Sequence, residues 1–204
     1  MRPVNPSKLE HKLWDLFKKR LMLRSRDLQP LKIPRTLLAQ LCQTGKIRRL
    51  GRGVYGLQGS PQSEYQSLLE VSTRVPEGVI CLLSALHFHD IGTQIPHQVW
   101  LAIKNGARPP KLDTVGLRVM RFSNASLAHG VETRTINGIP IRATTPAKTI
   151  ADCFKYRNKI GMDVALEALR DGWHKRRFTM DDLHRAATVD RVARVLRPYL
   201  EALV

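Results

Sequence analysis

Four cations stand close together in the segment KIRRLGRGVYGLQ, residues 46–58, with three glycines and five large apolar residues among them. Ammonium and guanidinium groups bind phosphate through charge-assisted hydrogen bonds. The whole chain has the same bias, with 34 Lys and Arg against 17 Asp and Glu, a net charge of +17 and a pI near 10.5. Residues 1–60 alone hold 14 cations against 3 acids, a net +11. This balance predicts a polyanionic partner for the N-terminal third, although a basic surface that only keeps the protein soluble is the alternative.

Residue types that perform catalysis are present, but they do not converge. His87 and His89 lie near Cys81 in sequence, yet residues two apart on a helix point about 200° apart, and Cys81 and His89 would be about 12 Å apart along its axis. Ser84 and Thr145 have no evident base, and there is no glycine-rich phosphate loop. We therefore predict a protein that is not an enzyme, with no catalytic residue, no metal site and no cofactor.

The elements that must position the cations are predicted to be three helices followed by a hairpin. Apolar residues recur at helical spacing over residues 7–19, which predicts an amphipathic helix. The segment LRSRDLQPL predicts a short helix that Ser25 caps and Pro30 stops. A third helix is predicted over Pro34–Thr44, because proline in the first turn and Gly45 just past the end are start and stop signals.

The third predicted helix has one apolar face and one short polar face without acids. The apolar stripe consists of Ile33, Leu37, Leu38, Leu41 and Cys42. The opposite face carries Arg35, Thr36, Ala39, Gln40 and Gln43. Arg and Gln side chains can form paired hydrogen bonds with base edges in a major groove. Our candidates for base reading are therefore Arg35, Thr36, Gln40 and Gln43.

Residues 47–50 and 54–57 are predicted to be two short strands, joined by a turn at GRG. Ile47 and Leu50 cannot share one face of a regular strand, which predicts either a β-bulge or a strand that begins late. Three helices followed by a hairpin is the order of a winged helix-turn-helix, in which the third helix enters a major groove and the hairpin flanks it. Tyr55 is expected at the base of this wing, and an edge hairpin that charges protect from aggregation is the alternative. The predicted phosphate contacts are Arg24, Arg26, Lys46, Arg48, Arg49 and Arg52.

A domain boundary is predicted near residue 60, where Gly59, Ser60 and Pro61 interrupt two periodic segments. The chain is then an α+β protein, with a winged helix-turn-helix over residues 1–60 and a mixed domain with a small β-sheet and several helices over residues 61–204. In the second domain we predict helices at 64–73 and 79–90, strands at 98–104 and 115–123, a hairpin at 131–143 and further helices from Thr145 onward. Exposed cations at Lys104, Arg108, Lys111 and Lys175–Arg177 could extend a DNA contact surface or form a solvated face.

Three fragments in serial order resemble the AbiE-type antitoxins, AbiEi, of abortive-infection toxin-antitoxin systems. They are RLGRGVYGL, VICLLSALHFHDIGTQIPHQVWLAI, and GIPIRATTPAKTIADCF followed by GMDVALEALRDG. The resemblance implies a winged helix that represses its own promoter by binding inverted repeats of double-stranded DNA. It also implies a C-terminal domain that counters a nucleotidyltransferase-like toxin, with direct contact between the two proteins left open. Arg35 and Thr36 depart from the serine-rich first turn expected in the family, which leaves the operator sequence open.

Two other functions remain open from the sequence alone. One is a stand-alone winged-helix regulator whose second domain binds a protein or a ligand, and the other is a nucleic-acid-processing enzyme or its RNA-binding accessory. The sequence has no apolar run near the roughly 20 residues of a membrane span, and its N-terminus lacks the apolar core of a secretory signal. Three distant cysteines fit reduced thiols better than disulfides. We therefore expect a cytoplasmic protein without a membrane partner, and one that acts in phage defence if the family resemblance extends to its role.

Overall fold

The computed structural model describes residues 6–59 and 64–203 and has the predicted α+β architecture. The chain folds into two compact units. The first unit extends to Pro76 and also includes Leu112–Val115 and Thr135–Ile141. The second unit consists of Glu77–Lys111, Gly116–Arg134 and the chain from Arg142 onward. The proposed boundary at Ser60 and Pro61 lies outside the described residues.

A three-stranded antiparallel sheet and three helices form the beginning of the first unit. In chain order these elements are α1 (Pro6–Lys19), β1 (Met22–Arg24), a 3-10 helix (Ser25–Leu31), α2 (Arg35–Gln43), β2 (Ile47–Gly51) and β3 (Val54–Leu57). The strands lie in the order β1-β3-β2. This is the predicted winged helix-turn-helix, with α2 as its third helix and β2-β3 as its hairpin.

The core of this unit forms where the apolar stripes of the three helices meet the sheet. Leu13 of α1, Leu28 of the 3-10 helix and Leu38 of α2 are at most 1% exposed and belong to one cluster with Leu23 and Ile47. The helix α3 (Gln66–Arg74) is also in this unit and packs near β1. Burial of these side chains is the main force that holds the short helices in place, since such helices are marginal in isolation.

A five-stranded mixed sheet organises the second half of the chain. Its strands are β4 (Val79–Ile80), β5 (Val99–Lys104), β6 (Leu117–Phe122), β7 (Val131–Ile136) and β8 (Ile139–Thr144), in the order β6-β5-β4-β8-β7. β4 pairs antiparallel with β5 and parallel with β8, and β5 pairs parallel with β6. The middle of the sheet is therefore made of strands that come from distant parts of the sequence.

Seven helices of the described chain follow or interrupt these strands. They are α4 (Leu82–Phe88), α5 (Asn124–Ala128), α6 (Pro146–Lys155), α7 (Arg157–Ile160), α8 (Met162–His174), α9 (Met180–Asp190) and α10 (Ala193–Glu201). α6 is central, because every residue from Ala147 to Phe154 is buried. Thr179 and Asp182 form the capping box of α9, as their spacing predicts.

Several sequence-based boundaries are wrong. The helix predicted over 79–90 is two elements, because Val79 and Ile80 pair with strands on both sides before α4 begins at Leu82. Ser25 does not cap the second helix; its amide instead donates a hydrogen bond to the Gly53 carbonyl, 2.8 Å away. Pro30 lies inside the 3-10 helix and does not stop it.

Two further observations concern the cysteines and the helices of the described chain. Cys81 and Cys153 are fully buried and Cys42 is half-buried, and all three are free thiols. Burial raises the pKa of the Cys81 and Cys153 thiols, which keeps them protonated and unreactive. Within residues 6–59 and 64–203, no helix has both the length and the apolar character that a membrane crossing requires.

Candidate nucleic-acid interface

The helix α2 is fixed by its apolar side and presents its polar side to solvent. Pro34 precedes its first turn in an extended conformation, and the helix ends before Gly45, which has a positive φ of 67°. Leu37, Leu38 and Leu41 are buried in the core of the unit. Because these three residues occupy one side of the helix, the opposite side is left exposed.

All four candidate base-reading residues lie on that exposed side of α2. They are Arg35, Thr36, Gln40 and Gln43, with the small Ala39 among them. Among the described residues, none of these four side chains has a hydrogen bond or ion pair to another residue. Their donors and acceptors therefore face solvent and are available to base edges or phosphates.

The hairpin β2-β3 carries the second set of candidates. Lys46, Arg49 and Arg52 are exposed, and the Arg49 Nε donates to the Gly51 carbonyl at 3.3 Å. Arg48 is half-buried, and its Nε is a buried donor without a hydrogen-bond partner among the described residues. Tyr55 is half-buried and packs against the core, in agreement with its expected place at the base of the wing.

The bulge, one of the two alternatives that the apolar pattern predicts, is present in β2. Arg49 pairs with Tyr55 and Gly51 pairs with Val54, so Leu50 is the extra residue between them. Gly53 in the turn has a positive φ of 73°, which L side chains rarely adopt. The bulge and the glycine turn the strand sharply, and Arg49 before the turn and Arg52 within it are exposed.

Arg24 and Arg26 differ in their surroundings. Arg26 is exposed, whereas the Arg24 guanidinium donates to the Asp27 carboxylate at 3.1 Å and to the Thr73 carbonyl at 2.9 Å. Arg24 therefore connects β1 to the end of α3 within the first unit. Its charge is also partly balanced by Asp27, so of the six proposed phosphate contacts Arg24 has the strongest competing role.

The electrostatics of this surface follow from the absence of acids. No Asp or Glu occurs between Asp27 and Glu64, a stretch that contains the whole of α2 and the hairpin. A cation without a neighbouring carboxylate is not neutralised locally, so its field extends into solvent over about one Debye length, roughly 8 Å at physiological salt. The segment that contains α2 and the hairpin therefore carries only positive charges of its own, and the Glu70 carboxylate close to Gly51 is paired with Arg74.

The remaining candidate cations are distributed differently in the second unit. Lys104, Arg108 and Lys111 are exposed and have no carboxylate partner among the described residues. Lys175 binds Asp171 at 3.0 Å, and Arg177 binds Asp90 at 3.3 Å. In that same part of the chain we find no group of three or more His, Cys, Asp or Glu that could hold a metal ion. His89 is buried and within 2.7 Å of the Thr144 carbonyl oxygen.

The exposed polar helix and the basic hairpin pack on one small core. This arrangement is that of a winged-helix DNA-binding module. Residues 12–58, which contain this arrangement, match a family model described as transcriptional regulator, AbiEi antitoxin. The match confirms the resemblance to AbiEi antitoxins within this stretch, which contains the first of the three sequence fragments, RLGRGVYGL; the other two fragments lie outside it. It supports the role of a DNA-binding regulator, since this is a family of transcriptional regulators and not of enzymes.

Comparison with solved structures extends the similarity beyond the winged helix. The RV2827C protein from Mycobacterium tuberculosis matches 98% of this chain and 78% of its own with a TM-score of 0.61, at 14% sequence identity. At this identity the likeness concerns the fold, including the second unit, and not the function. No curated protein matches the chain.

Proposed function

We propose that the protein is the DNA-binding antitoxin and autorepressor of an AbiE-like toxin-antitoxin operon. In this proposal α2 lies in the major groove of a promoter half-site and the β2-β3 hairpin flanks it along the phosphates. The winged helix comprises residues 1–60, and residues 61–204 counter a nucleotidyltransferase-like toxin in the cytoplasm. The observation that carries the DNA-binding part is the acid-free exposed face of α2 beside the exposed cations of the wing.

The division of labour follows from the chemistry of each side chain. Arg35 and the amides Gln40 and Gln43 can form bidentate hydrogen bonds with base edges, and Thr36 can contact a base or a thymine methyl. Phosphate contacts require cations that are not already engaged by a carboxylate of the protein. The side chains that meet this requirement are Arg26, Lys46, Arg49 and Arg52. Arg48 and Arg24 complete the set of proposed phosphate contacts.

The antitoxin part of the proposal rests on the family match and on the presence of a second unit. A winged helix alone is sufficient for operator binding, so the larger second unit must serve another purpose. In AbiEi-type systems the resemblance implies that this purpose is protection from the toxin, with or without a stable complex. The proposal therefore predicts a nucleotidyltransferase-like reading frame directly downstream.

Footprinting on the protein's own upstream region tests the DNA-binding proposal. We expect protection of an inverted repeat that overlaps the promoter. A parallel titration on a scrambled duplex of the same length is the control, and it should show only weaker, salt-sensitive binding. Equal affinity for both duplexes would contradict operator recognition.

The alternatives are separated by two simple observations. A stand-alone regulator would protect the same repeat but lack the toxin gene and give no protection when a toxin is expressed with it. An enzyme or RNA-binding accessory would cleave or prefer labelled RNA when purified protein is incubated with DNA and RNA, with and without divalent metal. Neither outcome is compatible with the antitoxin proposal.

A further inference from the structure

A cavity of about 920 Å³ lies at the C-terminal end of α8 in the second unit. Its volume falls in the range of roughly 300–1,000 Å³ that small-molecule sites occupy. Its walls are formed by the end of α8, the loop that follows it, the first turn of α9, and Leu203, which lies just past α10. We propose that this cavity binds a small anion that carries a flat ring, a function that is independent of DNA binding by the first unit.

The charges that line the cavity favour an anion. Three cationic or protonatable side chains, His174, Arg176 and Arg177, face a single carboxylate, Asp182. That carboxylate is already occupied, because Oδ2 accepts from the Thr179 hydroxyl at 2.6 Å and Oδ1 accepts from Arg185. These hydrogen bonds also lower the pKa of Asp182, so it stays ionised and engaged. The free charge in the cavity is therefore positive.

Arg176 is the cation that a ligand would find unpaired. Arg177 is held by Asp90, whereas the Arg176 side chain has no ion-pair or hydrogen-bond partner among the described residues. Its backbone has a positive φ of 52° and closes the helix end: the Arg176 amide donates to Trp173 and the Arg177 amide to Gly172. This position of the Schellman motif is usually glycine, because a left-handed conformation is unfavourable for side chains with a Cβ.

Two aromatic rings supply the apolar part of the cavity. Trp173 and Phe178 lie 6.0 Å apart between ring centroids at an angle of 44°. Phe178 is buried and packs closely against Gly172, where an added Cβ would come within 3.0 Å of its ring. Trp173 is only half-buried, so part of its ring surface borders the cavity. A flat ring can stack on this wall while its anionic group reaches Arg176.

Nucleoside monophosphates and aromatic carboxylates share this chemistry. Calorimetric titration of the full-length protein with adenosine 5′-monophosphate and with salicylate distinguishes these two classes of ligand. We expect one of them to bind with 1:1 stoichiometry and to change the tryptophan fluorescence through Trp173. Adenosine and ribose 5-phosphate, which lack the charge or the ring, should bind at least about tenfold more weakly. Binding of neither anion, or equal binding of ribose 5-phosphate, would overturn the proposal.

A pair of matched variants tests the role of Arg176. Arg191 occupies the same motif position at the end of α9, with a φ of 59°, and does not line the cavity. R176G and R191G should both raise the thermal midpoint, because glycine relieves the left-handed strain. Only R176G should weaken binding of the anion, by about tenfold, the effect of one charge-assisted hydrogen bond. Unchanged affinity in R176G, or an equal loss in R191G, would refute the site.

Discussion

Arg49 in β2 and Arg52 in the turn are exposed cations of the wing. Reversal of both charges in R49E/R52E should weaken binding to every DNA sequence and lower the logarithmic salt slope by about 2, since each phosphate contact contributes about 0.9. The measurement is a titration on operator and scrambled duplexes between roughly 50 and 200 mM salt, conditions where such slopes are well determined.

A charge-matched variant separates local contacts from the net charge of the molecule. R194E/R197E makes the same change on α10, at two exposed arginines outside the proposed interface. It should leave the slope nearly unchanged. If both double variants lose the same slope, the wing does not contact phosphate.

Gln40 lies in the middle of the exposed face of α2 and has a different expected effect. Gln40→Ala should cost about 1–3 kcal/mol on the operator but little on nonspecific DNA, because a bidentate amide contact to a base is lost. Binding to a set of operators with single base changes measures this. The variant should tolerate base changes at one position of each half-site. An equal loss of affinity on all sequences would indicate that Gln40 contacts the phosphate backbone instead.

Lys148 forms a fully buried cluster of charged residues in the second unit. Its Nζ donates to Asp152, to Asp190 at 2.8 Å and to the Ser126 hydroxyl at 3.1 Å. Burial raises the pKa of Asp152, and the charge of Asp190 raises it further, although Lys148 opposes both. Burial also acts to raise the pKa of Asp190, but the charge and hydrogen bond of Lys148 outweigh it and lower that pKa. The two carboxylates of one cluster therefore have opposite shifts.

Because the pKa of Asp152 is raised and that of Asp190 is lowered, replacing each carboxylate by a neutral amide should change stability differently. A raised pKa contributes stability that is present below the ordinary value of 3.8 and lost as pH rises through the folded-state value. D152N should therefore cost little at neutral pH and flatten the fall in stability that begins as pH rises above 3.8. D190N removes a carboxylate whose ionised form the fold favours, and it should cost about 3–5 kcal/mol, as breaking a buried ion pair does. Urea unfolding at acidic, neutral and alkaline pH measures both, and equal costs would contradict the assignment.

At the scale of elements, the N-terminal half is the more predictable part. The start and stop signals of α2 and the alternation in the hairpin are local, and each is contained within about a dozen residues. The conflict between Ile47 and Leu50 is also local, but it left a bulge and a late-starting strand as alternatives; the structure has the bulge, with Ile47 in the core cluster and Leu50 as the extra residue. The exposed side of α2 is likewise determined by its apolar stripe, so the sequence is sufficient to select the candidate base-reading residues.

The elements that sequence reasoning missed are stabilised by distant partners. β1 has three residues and β4 has two, too few to show a period of their own. β4 exists because β5 and β8 supply hydrogen bonds on both sides, and neither pairing is visible in VICLLSAL. The burial of Lys148 was not predictable from the sequence either, since a lysine four residues before an aspartate on a helix usually forms an exposed ion pair. Its burial depends on Asp190, which is 42 residues away.

The turn of the wing contains Gly53 in a left-handed conformation, and a pair of glycine substitutions tests whether DNA binding needs it. Gly53→Ala should weaken DNA binding without any change in charge, because its positive φ and the Ser25 hydroxyl 3.0 Å from the added Cβ make the substitution strained. Gly59→Ala introduces a similar strain, at a φ of 72° with open space around the Cβ, but outside the hairpin. Both variants should lose about 1–2 kcal/mol of stability. Affinity for DNA should fall only for G53A, and equal affinities would show that the geometry of the turn is not needed.

At the scale of the whole molecule, charge is concentrated where the proposed DNA contacts are. The first 60 residues have a net charge of +11 and the rest of the chain has +6. Six phosphate contacts per half-site predict a logarithmic salt slope of about −5 for one protomer and about −11 for an occupied inverted repeat, at about 0.9 per contact. Cations at Lys104, Arg108 and Lys111 would steepen the slope beyond these values if they also reach DNA.

An inverted repeat places two copies of α2 in successive major grooves, so the spacing of half-sites must match the DNA helix. Two copies on the same face require a separation of about 34 Å, or 10–10.5 base pairs, or a multiple of it. We expect that inserting five base pairs between the half-sites abolishes cooperative binding, because it rotates one site by about half a turn. Inserting ten base pairs should return both half-sites to the same face of the DNA and recover part of the cooperativity. Gel-shift titration of the three operators measures this, and independent binding with the same affinity on all of them would show that each half-site is recognised by a separate monomer.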